Sequence, residues 1–268
     1  MTEENAWITN RFGGKLEALI RTPLRQAQGK PIGKFPAVIF VSGFGMDLHE
    51  YKNSNDEISK LLVEQGFLTL QFSFAGRGKS EGVYREMTLE RQGVQVNDVI
   101  DWLIKHQNAD INRIGIFAQS FGVPSTLSAD LTNVKSICFN AGTYYPGKSL
   151  RQVFIEERDV KVDDDQDISL PRSDGSFTVV GKQFFPNIDA FDVTEHLSKL
   201  PQSVFLIHGD QDTKVSTEEV NNAFQLIKRR NKKLKIFAGG DHSIMDVPRP
   251  TREEFLRDVV NWFKRTLK

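Results

Sequence analysis

Cysteine is almost missing from this chain: Cys138 is the only one in 268 residues. That excludes an internal disulfide and any metal site built from several thiolates. Flanked by Ile137 and Phe139, it reads as a buried structural thiol. An excess of one charge is missing too, with 35 Lys plus Arg against 35 Asp plus Glu. The basic face or high pI of a nucleic-acid binder is therefore not expected. No apolar run reaches the length needed to cross a bilayer. Residues 1–10 are acidic and polar, lacking the charged start and apolar stretch of a secretion signal. The expectation is a soluble, cytoplasmic protein, with leaderless export as the alternative. Neither an internal repeat nor a low-complexity tract is found, and the length suits one large α/β domain or a domain carrying an insertion.

What is present is an alternation of strand-like and helix-like segments. Residues 16–21 alternate as an antiparallel strand with one wet face, and residues 23–34 are loop-like in their Pro, Gly, Gln and Lys content. Residues 35–41 form a near-continuous apolar run, as a strand covered on both faces does. Ile58, Leu61 and Leu62 have helical spacing and stop at Gly66; residues 67–74 return to strand. Thr88 is placed to cap a helix whose apolar face carries Leu89, Val96, Val99, Ile100, Leu103 and Ile104. After Ser120 a helix is predicted to run toward Asp130, and residues 136–140 resume strand. Thr251-Arg252-Glu253-Glu254 has the form of a capping box ahead of Phe255, Val259, Trp262 and Phe263. These spacings predict βαβ crossovers and a parallel sheet.

Residues 141–190 break the rhythm, with turn-like stretches at Asp163-Asp164-Asp165 and Asp174-Gly175. Fifty residues without a βα unit point to an insertion with a purpose, a lid supplying a substrate pocket. The plainer alternative is a peripheral excursion that only protects the sheet. Tyr144, Tyr145, Phe154, Phe177, Phe184 and Phe185 are its aromatic supply, either as pocket lining or as the excursion's own small core.

Three strand-like runs each end in a reactive side chain. Residues 114–117 lead to Ser120, residues 204–207 to Asp212 and residues 234–237 to His242. Nucleophile, acid and base delivered from the carboxyl ends of different strands can converge above one sheet, and this chain order is that of α/β serine hydrolases. A serine hydroxyl needs a base, and the base needs an orienting acid. Ala118-Gln119-Ser120-Phe121-Gly122 supplies small residues two before and two after the serine, as a sharp strand-to-helix turn requires, and Pro124 falls within the first helical turn. Of five histidines, His106 and His196 read as surface residues and His208 as a structural strand end. His49 is a rival close to the first loop, and His242 is the base expected from its place in the series. Asp210 competes with Asp212 but is placed to tie down its own turn. Oxyanion donors are expected at the N–H of Phe121 and, from the glycine-rich loop Ser42-Gly43-Phe44-Gly45, at the N–H of Phe44; an ordinary glycine-rich turn is the other reading of that loop.

Four segments now carry a resemblance: Ser42-Gly43-Phe44-Gly45, residues 74–82 with Gly76-Arg77-Gly78-Lys79-Ser80, the turn at Ser120, and the Asp212 and His242 loops. Over nearly its whole length the chain resembles the α/β-hydrolase superfamily, and within it bacterial cinnamoyl/feruloyl-esterase-like and monoacylglycerol-lipase-like carboxylesterases. The resemblance implies an α/β-hydrolase fold, a mostly parallel central sheet with helices on both faces. It implies a core of residues 1–140 and 191–268 and a cap, residues 141–190, after the sixth strand. It further implies hydrolysis of a small-molecule carboxylic ester through an acyl-enzyme, without a cofactor; the absence of a nucleic-acid partner and of a membrane span is expected from charge and hydropathy, and the oligomeric state, monomer or homodimer, stays open. The Gly-Arg-Gly-Lys-Ser loop is structural in such relatives and lacks phosphate-loop spacing. Two departures stand out: Ser42 where relatives have histidine, and Ala118 where the turn usually has glycine. Thioester or peptide hydrolysis by the same residues, or a non-catalytic binding protein on this fold, are the alternatives.

Overall fold

The computed structural model describes residues 1–24, 33–163, 165–172 and 175–268. Most of the loop read at residues 23–34, together with Asp164 and Asp174 of the turn-like acidic stretches, lies outside the described residues. Among those described, the regular elements are β1 (Thr2–Thr9), β2 (Lys15–Thr22), β3 (Phe35–Val41), α1 (Ser54–Glu64), β4 (Leu68–Phe72) and α2 (Leu89–Lys105). Then come β5 (Ala109–Gln119), α3 (Gly122–Leu127), β6 (Val134–Asn140), α4 (Pro146–Arg151), β7 (Ile168–Pro171), β8 (Phe177–Val180) and α5 (Phe184–Asp189). The chain finishes with α6 (Val193–Ser198), β9 (Ser203–Gly209), α7 (Thr217–Leu226), β10 (Lys232–Phe237) and α8 (Arg249–Leu267).

Eight strands form one sheet in the order β1-β2-β4-β3-β5-β6-β9-β10. The first three are joined by antiparallel pairs, and every pair from β4 to β10 is parallel. Side chains alternate across the parallel strands with a period of two, which decides what covers each face. Ala37, Ile39, Ile116, Phe139 and Leu206 face the cluster completed by α2, α6 and α7. Val38, Phe40, Phe117, Cys138 and Phe205 face the opposite cluster, closed by α1 and α8. Both faces are buried, which is why these strands read as unbroken apolar runs.

Local signals set most of the helices. Thr88 caps α2 by accepting the Arg91 N–H at 3.2 Å, and Leu89, Val96, Val99, Ile100 and Leu103 are buried as expected. Three expectations need correction. The helix after Ser120 stops at Leu127, short of Asp130, with Ser125, Thr126 and Ser128 donating their hydroxyls to carbonyls one turn back. The capping-box reading of Thr251 does not hold: α8 starts at Arg249, its N-cap is Pro248 without a side-chain hydrogen bond, and Thr251 lies inside the first turn. The strand at residues 16–21 has no fully wet second face, because Arg21 is buried and donates to Ser59 at 3.0 Å while pairing with Asp56 and Glu3.

Between β6 and α6 the chain leaves the sheet. Residues 141–190 form α4, a single wide helical turn over Gln152–Glu156, the antiparallel hairpin of β7 and β8, and α5. This excursion has its own apolar cluster, including Phe154, Leu170, Val180, Phe184 and Phe185, seated on Tyr84, Met87, Leu89 and Phe121 of the sheet-bearing part.

Candidate active site

Three loops at the carboxyl ends of β5, β9 and β10 bring Ser120, Asp212 and His242 together. The turn at Ser120 is forced: its φ is 52°, a left-handed value that a non-glycine residue adopts only where the surroundings impose it. The Ser120 N–H donates to the Asn140 carbonyl at 3.0 Å, while its own carbonyl accepts from Val123 and Thr143. Glycine at position 122 permits a close approach, because a Cβ there would lie 2.5 Å from the Val41 carbonyl oxygen and 2.8 Å from that of Ser42. Helix α3 thus leaves the sheet against the end of β3. Ala118 is fully buried, so one methyl is accommodated where a glycine is more usual.

Asp212 and His242 meet because their loops touch at Gly209, where a Cβ would sit 2.2 Å from the Gly240 carbonyl oxygen. His242 Nδ1 is 2.7 Å from Asp212 Oδ2, and its Nε2 is 2.9 Å from Ser120 Oγ. The other Asp212 oxygen accepts the N–H groups of Lys214 and Val215 at 2.8 and 3.1 Å. Burial opposes ionisation of this carboxyl, but its bonds to His242 and Lys214 outweigh that and hold its pKa below the ordinary value. An ionised Asp212 requires Nδ1 to carry the imidazole proton, which leaves Nε2 as an acceptor for the Ser120 hydroxyl.

The rival residues are engaged elsewhere. Asp210 accepts the Gly239 N–H at 2.7 Å and ties the β9 and β10 loops together. His208 is fully buried, and its Nε2 donates to the Val215 carbonyl at 2.9 Å, bracing the Asp212 loop; desolvation lowers its pKa and keeps it neutral. His49 pairs with Asp56 at 2.6 Å. His106 and His196, read as surface residues, are half-buried, His106 tilted against the Trp102 ring and His196 stacked on Phe191.

Among the described residues, neither the Phe44 N–H nor the Phe121 N–H has a protein acceptor. The loop around Phe44 is otherwise pinned. Gly43 N–H donates to Glu50 Oε2 at 2.6 Å, Gly45 N–H to the Tyr84 hydroxyl at 3.0 Å, and Met46 N–H to the Gly43 carbonyl at 3.2 Å. Ser42 receives an Asn55 amide N–H at 3.1 Å, so the residue that departs from the relatives is tied into the fold.

A cavity of about 430 Å³ opens beside Ser120 and His242, a size suited to a small-molecule ligand. Its wall includes Gly43, Phe44, Met46, Glu50, Tyr51, Thr143, Leu150, Val153, Phe154, Arg158, Arg172 and Lys214. Of the aromatic residues expected to line it, Phe154 does. Tyr144 is buried against the main core, and Tyr145 packs on the same cluster. Phe184 and Phe185 are buried in the excursion's own core, and Phe177 is exposed on the hairpin. Sequence reasoning missed Glu50, which is 6 % exposed and accepts from both Gly43 and Tyr51. It also missed Glu219, whose buried carboxylate accepts the Tyr144 and Tyr145 N–H groups and so anchors the start of the excursion to α7. Both look like ordinary surface acids in a sequence; the positive φ of Glu50, 63°, is visible only in the fold.

Two family models match in tandem: the X-Pro dipeptidyl-peptidase (S15) family over residues 13–141 and the prolyl oligopeptidase family over residues 159–268. No curated protein sequence matches. Among solved structures, the chain is similar to Est1E from Butyrivibrio proteoclasticus, solved with ferulic acid bound, at 22 % identity and TM-score 0.78, covering 97 % of this chain and 98 % of that one. The α/β hydrolase GrgF from a Penicillium species aligns at 19 % identity and TM-score 0.77, covering 100 % and 99 %. The Pyrococcus furiosus esterase Pf2001 aligns at 19 % identity and TM-score 0.72, covering 100 % and 94 %. Sheet topology and these structural likenesses give the chain the α/β-hydrolase fold, and each of its two halves matches a different peptidase family model.

Proposed function

We propose that the protein is a carboxylic ester hydrolase in which Ser120, His242 and Asp212 act as nucleophile, base and orienting acid. The observation that carries the reading is the unbroken chain of short contacts from Asp212 through His242 to the Ser120 hydroxyl. In the first half-reaction Ser120 Oγ bonds to the ester carbonyl carbon while its proton passes to His242 Nε2. The tetrahedral oxyanion accepts hydrogen bonds from the Phe44 and Phe121 N–H groups. Collapse breaks the ester C–O bond, and the alcohol leaves with the proton held on His242. Water then gives a proton to His242 and attacks the acyl-enzyme; the acid is released and Ser120 recovers its proton.

Residues 141–190 are the cap of this enzyme, and Leu150, Val153 and Phe154 are its contribution to the acyl pocket. That lining favours an apolar or aromatic acyl group, and the likeness to a structure holding ferulic acid points the same way. No cofactor is needed for this chemistry. Hydrolysis of p-nitrophenyl esters over a series of acyl groups tests the reading: turnover that survives Ser120→Ala, or no turnover of any ester, overturns it. The tandem matches to two peptidase families favour one second reading, cleavage of an amide or thioester by the same residues. Comparing an aryl ester, an acyl-thioester and a short proline-containing peptide amide by kcat/KM separates the two.

A further inference from the structure

The oxyanion loop depends on a side chain that no general scheme of this chemistry calls for. Glu50 lies beyond the loop it serves, 6 % exposed, in a backbone conformation with φ 63° that a non-glycine residue adopts only under constraint. Its Oε2 accepts the Gly43 N–H at 2.6 Å and its Oε1 the Tyr51 N–H at 3.1 Å. A short bond from a backbone N–H to a buried carboxylate is charge-assisted and stronger than a neutral one. Gly43 itself is the point of contact with the nucleophile, since a Cβ there would lie 3.3 Å from Ser120 Cβ. With Gly43 N–H held by Glu50 and Gly43 carbonyl held by Met46 N–H, both sides of this residue are fixed. The next group along, the Phe44 N–H, is left without a protein acceptor among the described residues.

We propose that Glu50 is a positioning residue for the oxyanion hole, aiming the Phe44 N–H by holding the peptide group immediately before it. This rests on the ester-hydrolase reading above. Keeping a carboxylate here has a cost: burial raises the Glu50 pKa, against the lowering effect of the Gly43 and Tyr51 N–H groups and of the nearby His242. A buried acid retained beside the nucleophile is more than packing, because a neutral side chain of similar volume would fill the space without that penalty.

Two conservative variants separate reach from charge. E50D keeps the charge but withdraws the oxygen by one methylene, out of bonding distance of Gly43 N–H. E50Q loses the charge but keeps one oxygen at full reach for the Gly43 N–H, giving up only the longer bond from the Tyr51 N–H, which then faces the amide NH2. Steady-state kinetics with a p-nitrophenyl ester, on protein whose melting curve shows a single cooperative transition, reads the outcome. E50D loses kcat by about 30- to 100-fold with KM within about threefold, short of the effect of deleting an oxyanion donor outright. E50Q stays within about fivefold of wild type, the difference expected between a charged and a neutral acceptor. A wild-type kcat in E50D, or a loss confined to KM, overturns the proposal. So does the reverse order, with E50Q the more damaged, which would make Glu50 an electrostatic partner of His242. Wild-type protein that fails to turn over the ester and escapes fluorophosphonate labelling defeats the ester-hydrolase reading instead, and that outcome is reached without any Glu50 variant.

Discussion

The imidazole of His242 stands 2.9 Å from the Ser120 hydroxyl although 122 positions separate them in the chain. Two close backbone approaches create that contact: α3 against the end of β3 at Gly122, and the β9 loop against the β10 loop at Gly209. The expected consequences of this arrangement can each be measured.

Ser120→Ala removes the proposed nucleophile with its bond to His242 and, besides these, only a long 3.5 Å contact to the Thr143 hydroxyl. We expect esterase kcat to fall by about 10⁵-fold or more, in the range seen when a serine nucleophile is deleted from such a set. The melting temperature should stay close to that of wild type, and fluorophosphonate labelling should vanish. Labelling at full rate in the variant would mean that another serine reacts.

Asp212→Asn keeps the shape but presents an amide to His242 Nδ1. The imidazole then favours the tautomer with its proton on Nε2, which cannot accept from Ser120. A fall in kcat of about 10⁴-fold is expected, with KM little changed. Progress curves at high enzyme concentration measure the activity that remains.

Glu219 gives stability a pH dependence of definite sign. Burial raises its carboxyl pKa above 4.5 despite the Tyr145, Ser149 and Tyr144 donors. A raised acid contributes stability that is fully present below its unfolded pKa and lost as pH rises through the folded one. E219Q cannot titrate. The stability difference, wild type minus E219Q, should therefore shift against wild type between a pH below 4.5 and neutral pH. Denaturant midpoints of both proteins at the two pH values test it, and an unchanged difference would contradict the assignment.

Gly122→Ala puts a methyl 2.5 Å from the Val41 carbonyl. Two backbone segments would have to separate, at a cost of about 1–3 kcal/mol as in other overpacked sites. Chemical denaturation reads the loss, and any surviving folded protein should hydrolyse esters more slowly because the turn carrying Ser120 has moved.

Phe154→Ala widens the cavity beside Leu150 and Val153. Discrimination between a large aromatic acyl group and acetate should weaken by about tenfold in kcat/KM, the worth of a lost apolar contact.

How far the sequence revealed all this depended on the range of the forces involved. Residues 35–41 coincide with β3, and the Thr88 cap is observed, because full burial and capping are written in neighbouring residues. Loop position also favoured Asp212 over Asp210, and Asp212 is the one that lies against His242. Strand β1 was not: only Ile8 of its eight residues is buried, and its order comes from backbone pairing with β2 along its whole length. The pocket aromatics failed for a related reason. Tyr144, Phe184 and Phe185 have the composition of a binding surface, but which apolar side chains turn inward is settled by the packing of the entire excursion. Thr251 carried a motif, yet Pro248 and Pro250 started the helix sooner.

The hairpin of β7 and β8 reaches back to the proposed oxyanion loop through Arg172, whose guanidinium donates to the Phe44 carbonyl at 2.7 Å. In the proposed mechanism, substrate preference and rate acceleration are consequently not separable modules. Grafting a foreign loop over the cleft to broaden its repertoire would also remove the outer brace on Phe44. A designer should retain this arginine, or supply another donor at the same spot, before altering anything else above the sheet.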